Sequence, residues 1–171
     1  MAMHLYCATR MELDRHIICI FHQTFRAIFY FFPLRFKNSN DTKIYVGAQT
    51  GNFINEIDIG LSNINQYSLD GNPVDGNTSA IDAHDIILAA NGTDLIMTCQ
   101  GSKDVRVFNT LTNTVTNIIS LANYIPQEII YSPSTNQYYV TCNDALNAGA
   151  VYKIDASSYV ATKLNVGYQL H

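Results

Sequence analysis

The chain contains 171 residues, of which 10 are Lys or Arg and 14 are Asp or Glu, so its net charge at pH 7 is −4. Only 14% of the residues are charged, and the chain lacks the basic field that nucleic-acid binding requires. We therefore predict no nucleic-acid partner. A chain of this length would ordinarily form one domain with a core large enough to fold alone.

Residues 1–38 differ in composition from the rest of the chain. They hold five basic and two acidic side chains, together with six of the eight Phe. Residues 39–171 are instead rich in Asn, Thr, Ser, Ile, Val and Tyr, which is typical of short strands joined by turns. Two kinds of sequence are therefore joined near residue 36.

The leader, residues 1–32, is predicted to form a helix outside the repeat described below. Its apolar side chains recur at helical spacing, and Pro33 ends the pattern. These side chains are Leu13, Ile17, Phe21, Phe25, Ile28 and Phe32.

The sequence leaves several interpretations of this leader open. A transmembrane span is a weak one, because the apolar stretch 17–32 is short and polar or charged residues interrupt it. A signal peptide would need a cleaner apolar centre and a small-residue cleavage site. The others are a non-native leader that packs as an amphipathic helix over the repeat, and a helix that contacts a membrane surface.

The rest of the chain contains an internal repeat, first visible in two strands that both end in Thr-Cys. The sequence "LIMTC" at 95–99 returns as "YYVTC" at 138–142, which is 43 residues later. Residues 84–88 fall on 127–131 at the same offset. Such periodicity indicates architecture more strongly than the pattern of any single segment.

Further segments extend the repeat in both directions. Three residues inserted after Thr-Cys bring 105–109 onto 151–155, and residues 44–46 match 95–97 at an offset of 51. Each unit reads as four short strands, which in the middle unit are roughly 84–90, 94–100, 103–109 and 114–120. The units are predicted at about 33–80, 81–124 and 125–167, and the start of a fourth follows.

Four antiparallel strands in about 43 residues, repeated along a chain, are typical of β-propeller blades. The strands "DLIMTC" and "IIYS" are apolar on both sides, as expected for a blade stacked between two neighbours. We therefore predict an all-β fold, a partial β-propeller of about three four-stranded antiparallel blades preceded by the N-terminal helix. A β-sandwich is the alternative.

The strand Tyr-Val-Thr-Cys-Asn at 139–143 resembles the Tyr-Val-Thr-Asn strand of the YVTN β-propeller repeats. Residues 84–115, with their Asn-Gly turn and "VFNT" strand, look like a whole blade of that type. The chain departs from the family pattern because Cys replaces Asn in two units and the first unit reads "YVGA".

This resemblance implies a binding or scaffold module that is extracytoplasmic or on the cell surface, with a protein or small-molecule ligand as its partner. The alternative is a fragment of a propeller enzyme, lactonase-like or lyase-like, with a metal or substrate site at the central channel. For this chain we expect no catalytic residues, no turnover and no cofactor.

Three units are fewer than a closed propeller ring contains, so the chain is expected to be part of a propeller. An open blade face covers about 300 Å², and leaving it uncovered forgoes about 7 kcal/mol of apolar burial. We therefore expect missing chain, the leader or another copy to cover the open faces, and we predict self-association through them.

Equivalent positions at the start of successive first strands are held by His84, Gln127 and His171. The first strand of a propeller blade faces the central channel, where a ring of His could bind a metal. Gln127 interrupts this ring, so a turn or cap role is the simpler interpretation.

Asp70, Asn72 and Asp75 are weak candidates for a calcium site, because their spacing does not match an EF-hand loop and a polar loop explains them. Cys99 and Cys142 are predicted to be buried core thiols at equivalent positions rather than a disulfide.

Overall fold

The computed structural model describes residues 35–37, 42–58, 63–75, 81–144 and 149–164. The predicted helix over 1–32 and the predicted start of a fourth unit lie outside the described residues. The chain divides into two units after Pro33, and the strands below belong to the second. Within the described ranges there is no helix of a length and hydrophobicity suited to crossing a bilayer.

The described strands form three antiparallel sheets, each built from four consecutive strands. Sheet A contains β1 (Arg35–Lys37), β2 (Lys43–Gly47), β3 (Phe53–Asp58) and β4 (Ile64–Ser68). Sheet B contains β5 (Ala83–Leu88), β6 (Leu95–Cys99), β7 (Asp104–Asn109) and β8 (Thr114–Ser120). Sheet C contains β9 (Ile125–Ser132), β10 (Gln137–Asn143), β11 (Gly149–Asp155) and β12 (Ala161–Leu164).

This arrangement confirms the predicted all-β fold of four-stranded antiparallel units. Each sheet orders its strands as they occur along the chain, which excludes a sandwich whose strands alternate between two sheets. The four strands of the middle unit begin and end within two residues of their predicted positions.

The repeat is reproduced in the pairing register of the strands. Leu95 pairs with Phe108 in sheet B. The residues that the repeat makes equivalent to this pair also face each other, as Tyr138 and Ile154 in sheet C and as Ile44 and Ile57 in sheet A. The offsets read from the sequence therefore superpose backbone positions and not only residue types.

The Thr of each Thr-Cys pair stabilises a β-bulge in the first strand. The register shifts between Ala83 and Asp85, and at the equivalent place opposite Val140 and Cys142. The Thr98 Oγ1 atom accepts the Asp85 N–H at 2.9 Å, and the Thr141 Oγ1 atom accepts the Glu128 N–H at 3.2 Å. A bulge leaves an amide outside the regular ladder, and the Thr hydroxyl supplies its acceptor.

Sheet B lies between the other two sheets, and its second strand is buried on both faces. All five residues of β6 are buried, and they divide between two cores in strict alternation. Leu95, Met97 and Cys99 belong to the core shared with sheet A, while Ile96 belongs to the core shared with sheet C. The prediction of a blade that is apolar on both sides is therefore confirmed for this sheet.

Each of the two joints between sheets also carries a hydrogen bond from a third strand to the preceding sheet. The Arg106 guanidinium donates through Nη1 to the Leu69 carbonyl oxygen. The equivalent residue in sheet C, Tyr152, donates its hydroxyl to the Leu121 carbonyl oxygen at 3.1 Å. Arg106 is also held by a bidentate ion pair with Asp104, with both N–O distances at 2.9 Å.

The two Thr-Cys cysteines are both free and buried, as predicted from their equivalent positions. Burial raises the pKa of the Cys142 thiol to about 12. Burial is also the main cause that raises the pKa of Cys99 well above its usual value, and the Asp104 carboxylate adds to it. Both side chains therefore act as small apolar core residues at neutral pH.

Short polar turns set the ends of the hairpins. The Asn109 Oδ1 atom accepts the backbone N–H groups of Leu111 and Thr112 in the β7–β8 turn. Asp155, at the equivalent position, accepts those of Ser157 and Ser158 in the β11–β12 turn. The same side-chain-to-backbone turn therefore closes the last hairpin of two successive units.

Replacing Thr98 by Val tests the role of the Thr-Cys hydroxyl. The change removes the acceptor of the Asp85 N–H and the donor that bonds the Gln127 carbonyl oxygen at 2.7 Å. Because both groups lose a hydrogen bond, we expect the free energy of unfolding to fall by about 1–3 kcal/mol. Thr141→Val is the matched control, because it removes the bond from the Glu128 N–H alone and should cost about 1 kcal/mol. Urea unfolding measures both, and equal losses would contradict the role assigned to Thr98.

Candidate functional site

The first strands of the three sheets lie together along one edge of the described fold. Strand β1 packs against β5, and β5 packs against β9. The outer strands are spread apart, since a groove of about 510 Å³ lies between β4 and the β8 side of sheet B. The sheets therefore fan outwards from the first strands, as blades do around the central channel of a propeller.

His84 and Gln127, two of the three predicted channel-facing residues, meet at the joint between sheets B and C. The His84 Nδ1 atom lies 3.4 Å from the Gln127 carbonyl oxygen. The same carbonyl accepts the Thr98 hydroxyl at 2.7 Å, and the Gln127 side chain accepts the Gln100 amide at 2.9 Å. His171 lies outside the described residues, so a role for it stays a prediction.

A pair of carboxyl groups stands beside this cluster. The Asp85 carboxylate accepts the Ile86 N–H through Oδ1 and the Ile129 N–H through Oδ2, both at 2.9 Å. Glu128 occupies the next equivalent position, 43 residues along the chain, and its carboxyl group lies close enough to Asp85 for the two acids to interact. The two acids thus come from successive blades.

The environment raises the pKa of Glu128. Desolvation is the largest cause, followed by the negative charge of Asp85, while the His84 ring opposes the rise. Glu128 is nevertheless an exposed residue. At the same joint, desolvation raises the pKa of Asp82, again opposed by His84.

The arrangement of these side chains is compatible with two roles, acid–base chemistry and the joining of sheets B and C. Two carboxyl groups of unequal environment beside an imidazole are an arrangement that supports acid–base chemistry. The same groups, however, are bonded across the joint, because Asp85 and Thr98 of sheet B both bond backbone atoms of β9 in sheet C. No set of three His, Cys, Asp or Glu side chains in the described ranges is grouped so as to hold a metal ion.

The loop that holds Asp70, Asn72 and Asp75 is organised by Asn52, which is 4% exposed. The Asn52 amide donates to Asp70 Oδ1 and to the Pro73 carbonyl oxygen, both at 3.0 Å, and its Oδ1 atom accepts the Asp75 N–H at 2.9 Å. Desolvation opposes ionisation of Asp70, but bonds from Asn72, Ser68 and Asn52 outweigh it and lower the pKa. The Asp70 carboxylate therefore accepts hydrogen bonds that hold the polar loop together.

The Asp85–Glu128 pair and the role of Gln100 were not predicted from the sequence. The signal for the acids was present, because both fall on the same repeat position and both are acidic. Their proximity could not be read from the sequence, since it depends on how closely the bulged ends of two neighbouring first strands approach. Gln100 follows Thr-Cys directly, where the sequence gives no indication of its partner.

Comparison with solved structures identifies the class of fold. Hydrazine synthase from Kuenenia stuttgartiensis is similar with a TM-score of 0.62 and 15% identity over 79% of this chain and 36% of that one. Virginiamycin B lyase from Staphylococcus aureus gives 0.60 and 15% over 77% and 40%. The WD40 repeats of RRP9 give 0.59 and 12% over 76% and 37%.

These similarities show that the described chain has a β-propeller fold, because WD40 repeats are propeller blades. The chain spans less than half the length of each of the three structures. Neither a protein-family model nor a curated protein sequence matches the chain. The similar structures include both enzymes and WD40 repeats, so the shared fold does not by itself define an activity.

The raised pKa of Glu128 predicts a specific pH dependence of stability. A carboxyl group whose pKa is raised by folding stabilises the fold below its unfolded value, 4.5, and loses that contribution as the pH rises through the folded value. The stability of the natural chain relative to Glu128→Gln should therefore fall as the pH rises above 4.5, as measured by urea unfolding.

Glu56 provides a control of opposite sign. Desolvation opposes its ionisation, but bonds from Lys43, Tyr45 and Asn65 lower its pKa. The ionised Glu56 carboxylate therefore adds to the free energy of unfolding above 4.5, its unfolded pKa, and this contribution is lost as the pH falls below that value. The stability of the natural chain relative to Glu56→Gln should thus be level above pH 4.5 and fall as the pH is lowered below it. A profile for Glu128→Gln that is also level above pH 4.5 would contradict the pairing of Glu128 with Asp85.

Proposed function

We propose that this chain is part of a YVTN-like β-propeller that serves as a binding or scaffold module. The observation that carries the proposal is the use of the inner polar groups at the B–C joint. Thr98, Asp85 and Gln100 each bond to β9 of the next sheet. Side chains committed to joining blades build a rigid frame and leave recognition to the exposed loops and outer strands.

The assignment to YVTN-like repeats is supported by the Thr of the motif strand. In both units that contain it, the Thr hydroxyl accepts the amide of the bulged first strand. This contact gives a physical reason for Thr at that position of the repeat. The following Cys is buried in both units, so it serves as a core residue where the motif has Asn.

The proposed setting is extracytoplasmic or at the cell surface, with a protein or small-molecule ligand as partner. Support comes from the resemblance to YVTN repeats, which include cell-envelope proteins. The choice of a protein or small-molecule partner is consistent with the net charge of −4, which disfavours nucleic acid as a partner.

A propeller enzyme, lactonase-like or lyase-like, is the second candidate, and one observation favours it. Asp85 and Glu128 form a carboxyl pair beside His84, and the pKa of Glu128 is raised, as is common for an acid that donates a proton in catalysis. In this candidate Glu128 is the general acid, and two backbone N–H bonds hold the Asp85 carboxyl group in place beside it.

Hydrolysis of a small sugar lactone by the full chain distinguishes the two candidates. The scaffold proposal predicts no rate above the uncatalysed reaction, with or without added zinc, calcium or manganese, and no stoichiometric metal by elemental analysis. Lactone turnover that falls at least tenfold in Glu128→Gln but persists in Glu56→Gln would overturn the scaffold proposal and establish the enzyme. The Glu56 variant controls for loss of folding, because that carboxylate lies in sheet A.

A further inference from the structure

The groove between sheets A and B exists because the two sheets diverge towards their outer strands. Arg106 of β7 faces sheet A, since it donates to the Leu69 carbonyl oxygen, and it is 6% exposed. Ile118 of β8 pairs with Arg106, so its side chain points to the same side, yet it is 60% exposed. Phe108 and its partner Val115 show the same change from buried to half-buried. Sheet B therefore presents apolar side chains to the groove that sheet A does not cover.

Strand β4 forms the opposite wall of the groove and is the last strand of sheet A in the described fold. The Leu69 N–H donates to the Asn52 carbonyl oxygen, and bonded pairs alternate along an antiparallel ladder. The backbone N–H and carbonyl groups of Gln66 and Ser68 therefore point away from β3. Both residues line the groove, so β4 offers it an edge that can pair with an added extended segment.

Strand β8 is less suited to such pairing, although it is the outer strand of sheet B. Its register against β7 shifts between Val107 and Phe108, where Thr116 is the extra residue. A bulge bends an edge strand and interrupts its row of backbone groups. The two walls therefore differ, because β4 contributes backbone groups and β8 contributes side chains.

One end of the groove carries a negative charge. Of the described residues that line it, only Asp70 is charged at neutral pH. Desolvation opposes its ionisation, but hydrogen bonds from Asn72, Ser68 and Asn52 lower its pKa. The Arg106 guanidinium is already paired with the Asp104 carboxylate. The exposed Asp70 carboxylate is thus held in a fixed place where it would attract a cation.

We propose that the groove binds an extended peptide segment of a protein partner, which pairs with β4 as a fifth strand of sheet A and places a Lys or Arg side chain beside Asp70. Alternate side chains of such a segment point towards sheet B, where Val115 and Ile118 cover apolar groups. Antiparallel pairing is the more stable arrangement, and it puts the basic residue near the N-terminal end of the segment. The inference rests on the proposed binding role and adds the chemistry of the partner and its place on the chain.

Fluorescence polarisation of labelled peptides tests this binding with the full chain. The probe has the sequence Lys-Val-Thr-Val-Thr-Val, and Glu-Val-Thr-Val-Thr-Val is its charge-reversed control, both with blocked ends. We expect saturable binding of the Lys probe and binding of the Glu probe that is about fivefold weaker at low salt. Hydrogen exchange followed by NMR should also slow at the Gln66 and Ser68 amides when the Lys probe is bound, because strand pairing occupies those N–H groups.

A pair of charge variants tests the assignment of Asp70. Asp70→Asn removes the charge but keeps the Oδ1 acceptor that holds the loop, so it should weaken the Lys probe about two- to fivefold. Asp155→Asn is the matched control, because that carboxylate also accepts backbone N–H groups in an exposed turn but lies in sheet C. It should leave the affinity unchanged.

A pair of apolar variants tests the wall formed by β8. Ile118→Ser should weaken the Lys probe about tenfold, because it removes apolar area that the peptide covers. Ile130→Ser is the matched control, since Ile130 is 63% exposed in sheet C and lies outside the groove. Both side chains are already exposed, so circular dichroism should show a natural fold for each variant.

Four results would overturn the proposal. One is the absence of binding of either probe at about 1 mM, whether the groove stays open or another part of the chain fills it. Another is an equal loss in Ile118→Ser and Ile130→Ser, and a third is tighter binding of the Glu probe. The fourth is a dimer of the natural chain that Ile118→Ser dissociates, which would assign the groove to a second copy. The lactone assay decides the proposed binding role separately, so these failures leave that role in place.

Discussion

The described fold depends on the covering of apolar blade faces by neighbouring blades. Strand β6 of sheet B shows this requirement, because its five residues are all buried and its apolar side chains alternate between two separate cores. A strand with apolar side chains on both sides is stable in water only between two neighbours. The order of the blades, the position of the polar groups and the character of the outward faces all follow from this requirement.

Apolar burial brings the blades together, and hydrogen bonds fix how they meet. Apolar contact is non-directional, so it does not by itself fix the height of one sheet against the next. The Thr98 hydroxyl and the Asp85 carboxylate bond to backbone atoms at the inner end of sheet C. Tyr152 bonds to the Leu121 carbonyl of sheet B. Contacts from both sheets therefore hold one relative position of the two blades.

Much of the architecture could be predicted from the sequence, and the reason is local. The pairs Leu95–Phe108 and Tyr138–Ile154 keep the sequence offset because short turns fix the register of adjacent strands. The bulges, the Thr98 contact with Gln127 and the Asp85–Glu128 pair could not be predicted, because they depend on the approach of different sheets. The narrower family and the activity are not defined by the fold, and they stay proposals.

The two joints use chemically different donors at one equivalent position, and this difference bears on how a repetitive chain avoids misassembly. Nearly identical units invite a blade to settle beside the wrong neighbour during folding. Arg106 brings a permanent charge that Asp104 must neutralise, whereas Tyr152 brings a neutral hydroxyl on an aromatic ring. A blade in the wrong slot would leave the Arg106 Nη1 group without the Leu69 carbonyl, or leave a gap in place of the Tyr152 ring, so the different side chains favour one order of the blades.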